Sequence, residues 1–319
     1  MAGATTVDIV SLGEAMVEFN QTGEGTGPNQ GRMYLQGFGG DTSNFAIAAA
    51  RQGARVAYVS ALGDDPYGRL LRQLWDEEGV EHTDVLTNPD AFTAIYFVTH
   101  GEAGHQFSFF RNGSAASRMS PAQLPRKRIE GARVLHLSGI SLAISPAACD
   151  TAYAAMDIAR QAGVKVSFDT NLRLKLWSID RARAVMSDVI ALSDLCLPSY
   201  DDVVAITGLT DPDALVDHCL RLGAKVVALK LGDQGALVAD ASQRHRIAPH
   251  PCQPLDATGA GDTFGGAFVH RWLQGDSLKQ AGRYAAAAAA LSTQGYGAVA
   301  PIPTAEQVFA TTKELKDHE

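Results

Sequence analysis

The sequence predicts an α/β protein with a doubly wound, mostly parallel sheet flanked by helices and a small set of β-strands apart from it. Three observations predict this class. Short apolar runs alternate with helical stretches along most of the chain. Those runs are apolar at nearly every position, as strands buried on both faces are. Two segments break the alternation, a loop flanked by alternating residues and a hairpin, and leave a few strands outside the main sheet.

The elements follow in order. Asp8–Gly13 (DIVSLG) reads as the first strand, and Asp41–Gln52 as a helix closed by Gly53. Arg55–Ser60 is a strand and Tyr67–Glu78 a helix ending before Gly79. Val134–Leu137, Val164–Phe168, Leu195–Leu197 and Val226–Leu229 are the remaining core strands, separated by helical stretches around 146–162, 180–192 and 213–221. The last third ends in helices at 260–273, 277–293 and 304–316. The first interruption, Met16–Gln36, is a Gly- and Asn-rich loop flanked by alternating residues. The second pairs Ala94–Val98 with Gln106–Phe110 across the turn Gly101-Glu102-Ala103-Gly104, a hairpin signal. No repeat, linker or charge block divides the chain, so one domain over 1–319 is expected, with a lid made by insertions at about 15–37 and 92–112.

Composition narrows the function. Lys plus Arg number 27 against 35 Asp plus Glu, a formal net charge of −8, which argues against a nucleic-acid or anionic-membrane partner. The apolar fraction of 46% supports a sizeable core, and 19% charge is too low for a disordered chain. The longest apolar run, Tyr284–Leu291, is mostly alanine and too short to span a bilayer. The N-terminal MAGATTVDIV lacks the basic and apolar regions of a secretion signal, so a soluble, cytoplasmic protein is expected. The cysteines, Cys149, Cys196, Cys219 and Cys252, form no C-x-x-C pair and read as ordinary thiols. Asn112-Gly113-Ser114 matches a glycosylation sequon by chance.

The sharpest chemistry lies in Asp256–Phe268 (DATGAGDTFGGAF), where a glycine-rich turn opens an apolar helix. The unpaired N–H groups and dipole of a helix N-terminus suit an anion, above all one gaining charge in a transition state. Asp262 is out of place there unless it takes a proton from a hydroxyl attacking a phosphate; the alternative is that it caps the helix. As a base it is expected to be ionised and weak, held so by the helix N-terminus. No lysine follows a glycine, so there is no P-loop, and no H-R-D or H-E-x-x-H occurs. The spacing from Gly259 and Gly261 runs to Gly265, unlike a dinucleotide fingerprint. A second polar cluster, Gly39–Asn44 (GGDTSN), either grips vicinal hydroxyls of a sugar or forms a plain N-cap after a Gly turn.

Together these segments identify the resemblance. Gly39–Gly68 and Asp256–Phe268 resemble the two signatures of the PfkB, or ribokinase-like, carbohydrate kinases, and the likeness runs through nearly the whole chain. It implies a ribokinase-like core with a β lid, and Mg²⁺- and ATP-dependent transfer of phosphate to a sugar hydroxyl. By the same resemblance Asp262 is the catalytic base, and Gly259, Ala260 and Gly261 form the anion hole. Lys230, Gly232 and Gly235 of KLGDQG resemble the nucleotide segment, with Ser199 also at the ATP site. Where many members carry N-x-x-E, this chain has Ser199-Tyr-Asp-Asp202, so Asp202 is expected to reach the metal through water. Some relatives hold K⁺ near the equivalents of Asp256 and Thr258.

Arg111, ending the aromatic hairpin, and Arg173, just past a core strand, suggest two guanidinium forks on a carboxylate, against surface salt bridges as the plain alternative. FFRNGSAAS and FDTNLRLKLW look most like 2-keto-3-deoxygluconate kinases, although D-x-N-x-R also occurs in fructokinases. That likeness implies a sugar site at Gly39, Gly40, Asp41, Asn44, Tyr96, Phe109, Arg111, Ile140 and Arg173. The expected activity is therefore phosphorylation of 2-keto-3-deoxygluconate, with fructokinase and a non-catalytic sugar-sensing protein as alternatives. The aromatic lid needs a ligand or a second subunit to cover it, and a homo-oligomer through the lid is expected.

Overall fold

The computed structural model describes residues 7–22, 31–101 and 104–316. Fourteen strands occur among them: β1 (Ile9–Leu12), β2 (Met16–Thr22), β3 (Met33–Gly39), β4 (Val56–Val59), β5 (Ala61–Gly63), β6 (Leu86–Asn88) and β7 (Ile95–Gly101) come first. Then follow β8 (Gly104–Phe110), β9 (Val134–Ser138), β10 (Lys165–Asp169), β11 (Leu195–Cys196), β12 (Val226–Lys230), β13 (Ala236–Asp240) and β14 (Arg244–Ile247). The main sheet runs β14-β13-β12-β11-β10-β9-β1-β4, parallel from β12 through β4. The strand order reverses beside β1, the kind of switch point where α/β sheets open a crevice.

Both faces of this sheet are covered, as the continuous apolar runs require. Val10, Leu12, Leu135, Leu137, Val166 and Phe168 face one core, packed by helices Pro146–Gln161, Ile179–Leu192 and Pro212–Leu222. Ile9, Tyr58, Val134, Leu195 and Ala228 face the other, under helices Asp41–Arg51, Pro66–Glu77, Ala260–Leu273 and Leu278–Ser292. Helix starts follow local chemistry: Asp65, Ser145 and Asp211 each accept a backbone N–H across the first turn, with Pro next in line.

The expected core elements all form, with ends shifted by one or two residues. The mostly parallel sheet carries an antiparallel edge, and one expected loop is a pair of strands. β13 and β14 extend the sheet antiparallel beyond β12, because Gly235 at φ +85° turns the chain straight back. The segment expected as a loop before Gln36 supplies two seven-residue strands, β2 and β3, which join β7 and β8 in a separate sheet ordered β3-β2-β7-β8. The Gly- and Asn-rich part at 23–30 and the turn residues Glu102 and Ala103 lie outside the described residues. All four cysteines are free thiols, three of them buried. No described helix is long and apolar enough to cross a membrane.

Candidate active site

The C-terminal ends of the core strands meet around a cavity of about 940 Å³. Glu14 follows β1, Ile140 follows β9, Asp169 closes β10 and Lys230 closes β12; Tyr96 and Phe109 reach in from the small sheet. Ala257, Thr258, Gly259, Gly261 and Asp262, around the start of helix Ala260–Leu273, complete the wall.

Close helix packing brings the polar groups together. A Cβ on Gly266 would lie 2.7 Å from the Phe45 carbonyl and 2.8 Å from the Ala49 amide, so only glycine lets helix Ala260–Leu273 approach helix Asp41–Arg51 this closely. Across that contact Asn44 Nδ2 donates to Asp262 Oδ2 at 2.8 Å. Behind it the Phe45 ring stacks on buried His136, whose Nδ1 lies 3.0 Å from Ser167 Oγ.

Neither helix start uses its acid as a cap. The N-caps are Gly40 and Gly259, and neither makes a side-chain capping bond. Asp41 Oδ2 instead accepts from Asn171 Nδ2 at 2.9 Å, and Asp262 is turned toward Asn44. Asp262 is not the strongly ionised group expected from its place on the helix. Burial first, and then the nearby Asp41 carboxylate, push its pKa up to about 8, against the pull of Asn44 and Lys230. In the turn itself, Ala260 N–H is occupied by the Ala257 carbonyl at 3.2 Å. Among the described residues the N–H groups of Gly259, Gly261 and Asp262 have no partner, so the free donors are shifted from the expected set.

The loop after β10 is shaped by its own acids. Asn171 has φ +32°, the one non-glycine residue with positive φ among those described, and its N–H donates to Asp169 Oδ1. Asp169 accepts from Lys230 Nζ; the Asp169 side chain is buried and that of Lys230 mostly so. Asp202 Oδ2 takes Thr170 Oγ1 at 2.8 Å and Leu172 N at 3.1 Å, and neither bond uses Oδ1.

The two arginines differ. Arg111 is held 2.5 Å from buried Glu14, which also accepts from Ser114 Oγ, and lies 5.9 Å above the Phe109 ring. Its charge is paired with Glu14, yet the side chain lines the cavity as expected and its Nε has no hydrogen-bond partner among the described residues. Arg173 is exposed on the cavity wall, its Nη1 donating only to its neighbour's carbonyl at 2.8 Å. Gly40, Asp41, Asn44, Tyr96, Phe109, Ile140, Ser199, Asp202, Gly259 and Gly261 also line the cavity as expected. Gly39, Ala260, Gly232 and Gly235 stay off the wall. A Cβ on Gly39 would meet Tyr96 Oη at 2.4 Å, so that glycine makes room for Tyr96, which donates to buried Glu18. Glu14, Asp169 and Asn171 were missed as site residues, although a carboxylate right after the first strand and the D-x-N-x-R pattern pointed to them.

The family model for pfkB family carbohydrate kinases matches residues 7–305. The chain belongs to this family. It is accordingly a phosphotransferase acting on an alcohol group, with the ribokinase-like fold. Fructokinase-1 of Oryza sativa subsp. japonica is 34% identical over 97% of this chain and 98% of its own. Among solved structures, fructokinase from Vibrio cholerae O395 bound to fructose, ADP and calcium superposes with TM-score 0.84 at 27% identity, covering 96% and 99% of the two chains. A protein from E. coli assigned as a ribokinase II, solved with ATP and Mg²⁺, gives TM-score 0.89 at 25% identity, covering 97% and 99%.

Proposed function

We propose that this kinase transfers the γ-phosphoryl group of ATP to the primary hydroxyl of a six-carbon 2-keto sugar. The observation that carries the reading is Asp262, a half-buried carboxylate on the cavity wall beside three free N–H donors at a helix start. The sugar lies between Asn44, Ile140 and the aromatic pair Tyr96 and Phe109, whose ring centroids are 5.5 Å apart. Its hydroxyl gives a proton to Asp262 as the new O–P bond forms and the bond to the ADP oxygen breaks. The free N–H groups face the charge that develops on the phosphoryl oxygens. The small sheet acts as a lid and excludes water.

The residues present fit Mg²⁺. No group of three or more ligating side chains occurs among the described residues, which suits an ion held chiefly by phosphates and water. Asp202, with Oδ1 unused, is the side chain that would hold its waters, and the ion supplies charge neutralisation on the phosphates. A K⁺ at Asp256 and Thr258 belongs to the same reading; Asp256 already accepts from Thr258 and Gly297.

Two acceptors are supported by different observations. The rice and Vibrio relatives support fructose, as does the pairing of Arg111 with Glu14, which offsets its charge on the cavity wall. Arg173, with Lys175 beside it on the cavity wall, supports 2-keto-3-deoxygluconate. ADP release measured with fructose, ribose and 2-keto-3-deoxygluconate tests both. A ketose is expected to be turned over fastest; if it is the keto acid, Arg173→Ala should raise its KM at least tenfold. Faster turnover of ribose, or no sugar-dependent ADP release, would reject the reading.

A further inference from the structure

We propose that Lys230 contacts the phosphoryl group during its transfer, a catalytic role resting on the kinase reading above. Lys230 closes β12, and its side chain is only 12% exposed. A buried ammonium needs compensation, and here it has one partner, Asp169, among the described residues. An ammonium carries three donors, so two remain. Their position matters: the Cβ direction of Gly261 ends 3.5 Å from Lys230 Nζ, so the charge stands directly against the first turn of helix Ala260–Leu273.

Two positive features thus share one corner of the cavity, the free N–H groups of the turn and the Lys230 ammonium. Repulsion between them is offset by Asp169, Asp262 and Asp41, but those carboxylates would themselves repel a phosphate. Lys230 is the cation on the cavity wall that stands against that turn. It also pulls down the proton affinity of both Asp169 and Asp262. As the acceptor oxygen bonds to phosphorus and the oxygen of ADP departs, negative charge shifts on the phosphoryl oxygens. A preorganised donor that gains strength at that moment lowers the barrier rather than only holding ATP. Asp169 is then a positioning residue that keeps the ammonium charged and aimed.

The test compares wild type, K230M, K230R and K230M/D169N in the ketose-dependent ADP assay. Wild-type turnover is read first, so failure of the kinase reading shows separately as absence of any sugar-dependent ADP. K230M should lower kcat about 10²–10³-fold, the loss typical of one transition-state donor, with sugar KM within threefold. K230R should recover at least tenfold of that loss. The rising limb of the pH profile should move to higher pH in K230M, since a cation beside Asp262 has gone. The double variant removes the unpaired buried carboxylate that K230M leaves, and it is read in place of K230M if the single variant does not fold. A double variant still at least a hundredfold slow supports contact with the phosphoryl group. Recovery to within threefold of wild type would show that Lys230 serves only to neutralise Asp169 and would overturn the proposal.

Discussion

At the residue scale the chemistry turns on a contest over the Asp262 proton. A helix N-terminus favours the carboxylate, yet burial and the Asp41 charge win and raise its pKa to about 8. The sign of the consequence is fixed. Asp262 accepts a proton only when ionised, so kcat/KM for the ketose should climb about tenfold per pH unit below that value and level off above it. Asn44→Leu removes a donor that stabilises the ionised form, so the limb should move to higher pH; an unmoved limb would detach Asn44 from the base. This residue also shows where the sequence ran out. The signature around Asp262 is local and legible, whereas its ionisation depends on Asp41 and Asn44, more than two hundred positions away. The pairing of Arg111 with Glu14 was illegible for the same reason: Glu14 lies in the connection after β1, and only the fold brings the two together on the cavity wall.

At the element scale the site depends on how two helices meet. Gly266 sits against the backbone of Phe45 and Ala49, and this contact fixes Asn44 against Asp262. Gly266→Ala should therefore destabilise the protein by about 1–3 kcal/mol, the usual cost of overpacking. It should also lower kcat, because the helices must part. A variant with wild-type melting temperature and kcat would contradict that account. The core strands were readable because burial on both faces leaves unbroken apolar runs such as Val226–Leu229. β2 and β3 were not: β2 buries the polar Glu18 and Gln21, and β3 lies on an open face. Met33 and Leu35 are 71% and 64% exposed, which blurs the alternation that marks a half-buried strand.

At the scale of the whole molecule, the −8 net charge and the cavity follow different rules. The chain as a whole is acidic, yet Arg173, Lys175 and Lys230 place cations on a cavity wall that also carries Glu14, Asp41, Asp169, Asp202 and Asp262. Charge counted along the sequence could exclude polyanions but not small anions. The exposed apolar side chains of the small sheet, Met33, Leu35 and Phe110 among them, suit burial against a second copy. Light scattering at micromolar concentration should thus give a dimer or larger assembly, and Leu35→Lys should weaken it; a monomer would exclude assembly through that sheet. The central claim is phosphoryl transfer with Asp262 as the base, and kinetics of Asp262→Asn test it most directly. The account predicts that ketose-dependent kcat falls by about 10²–10⁴-fold while ATP affinity stays within threefold of wild type. Turnover by Asp262→Asn within threefold of wild type would contradict it.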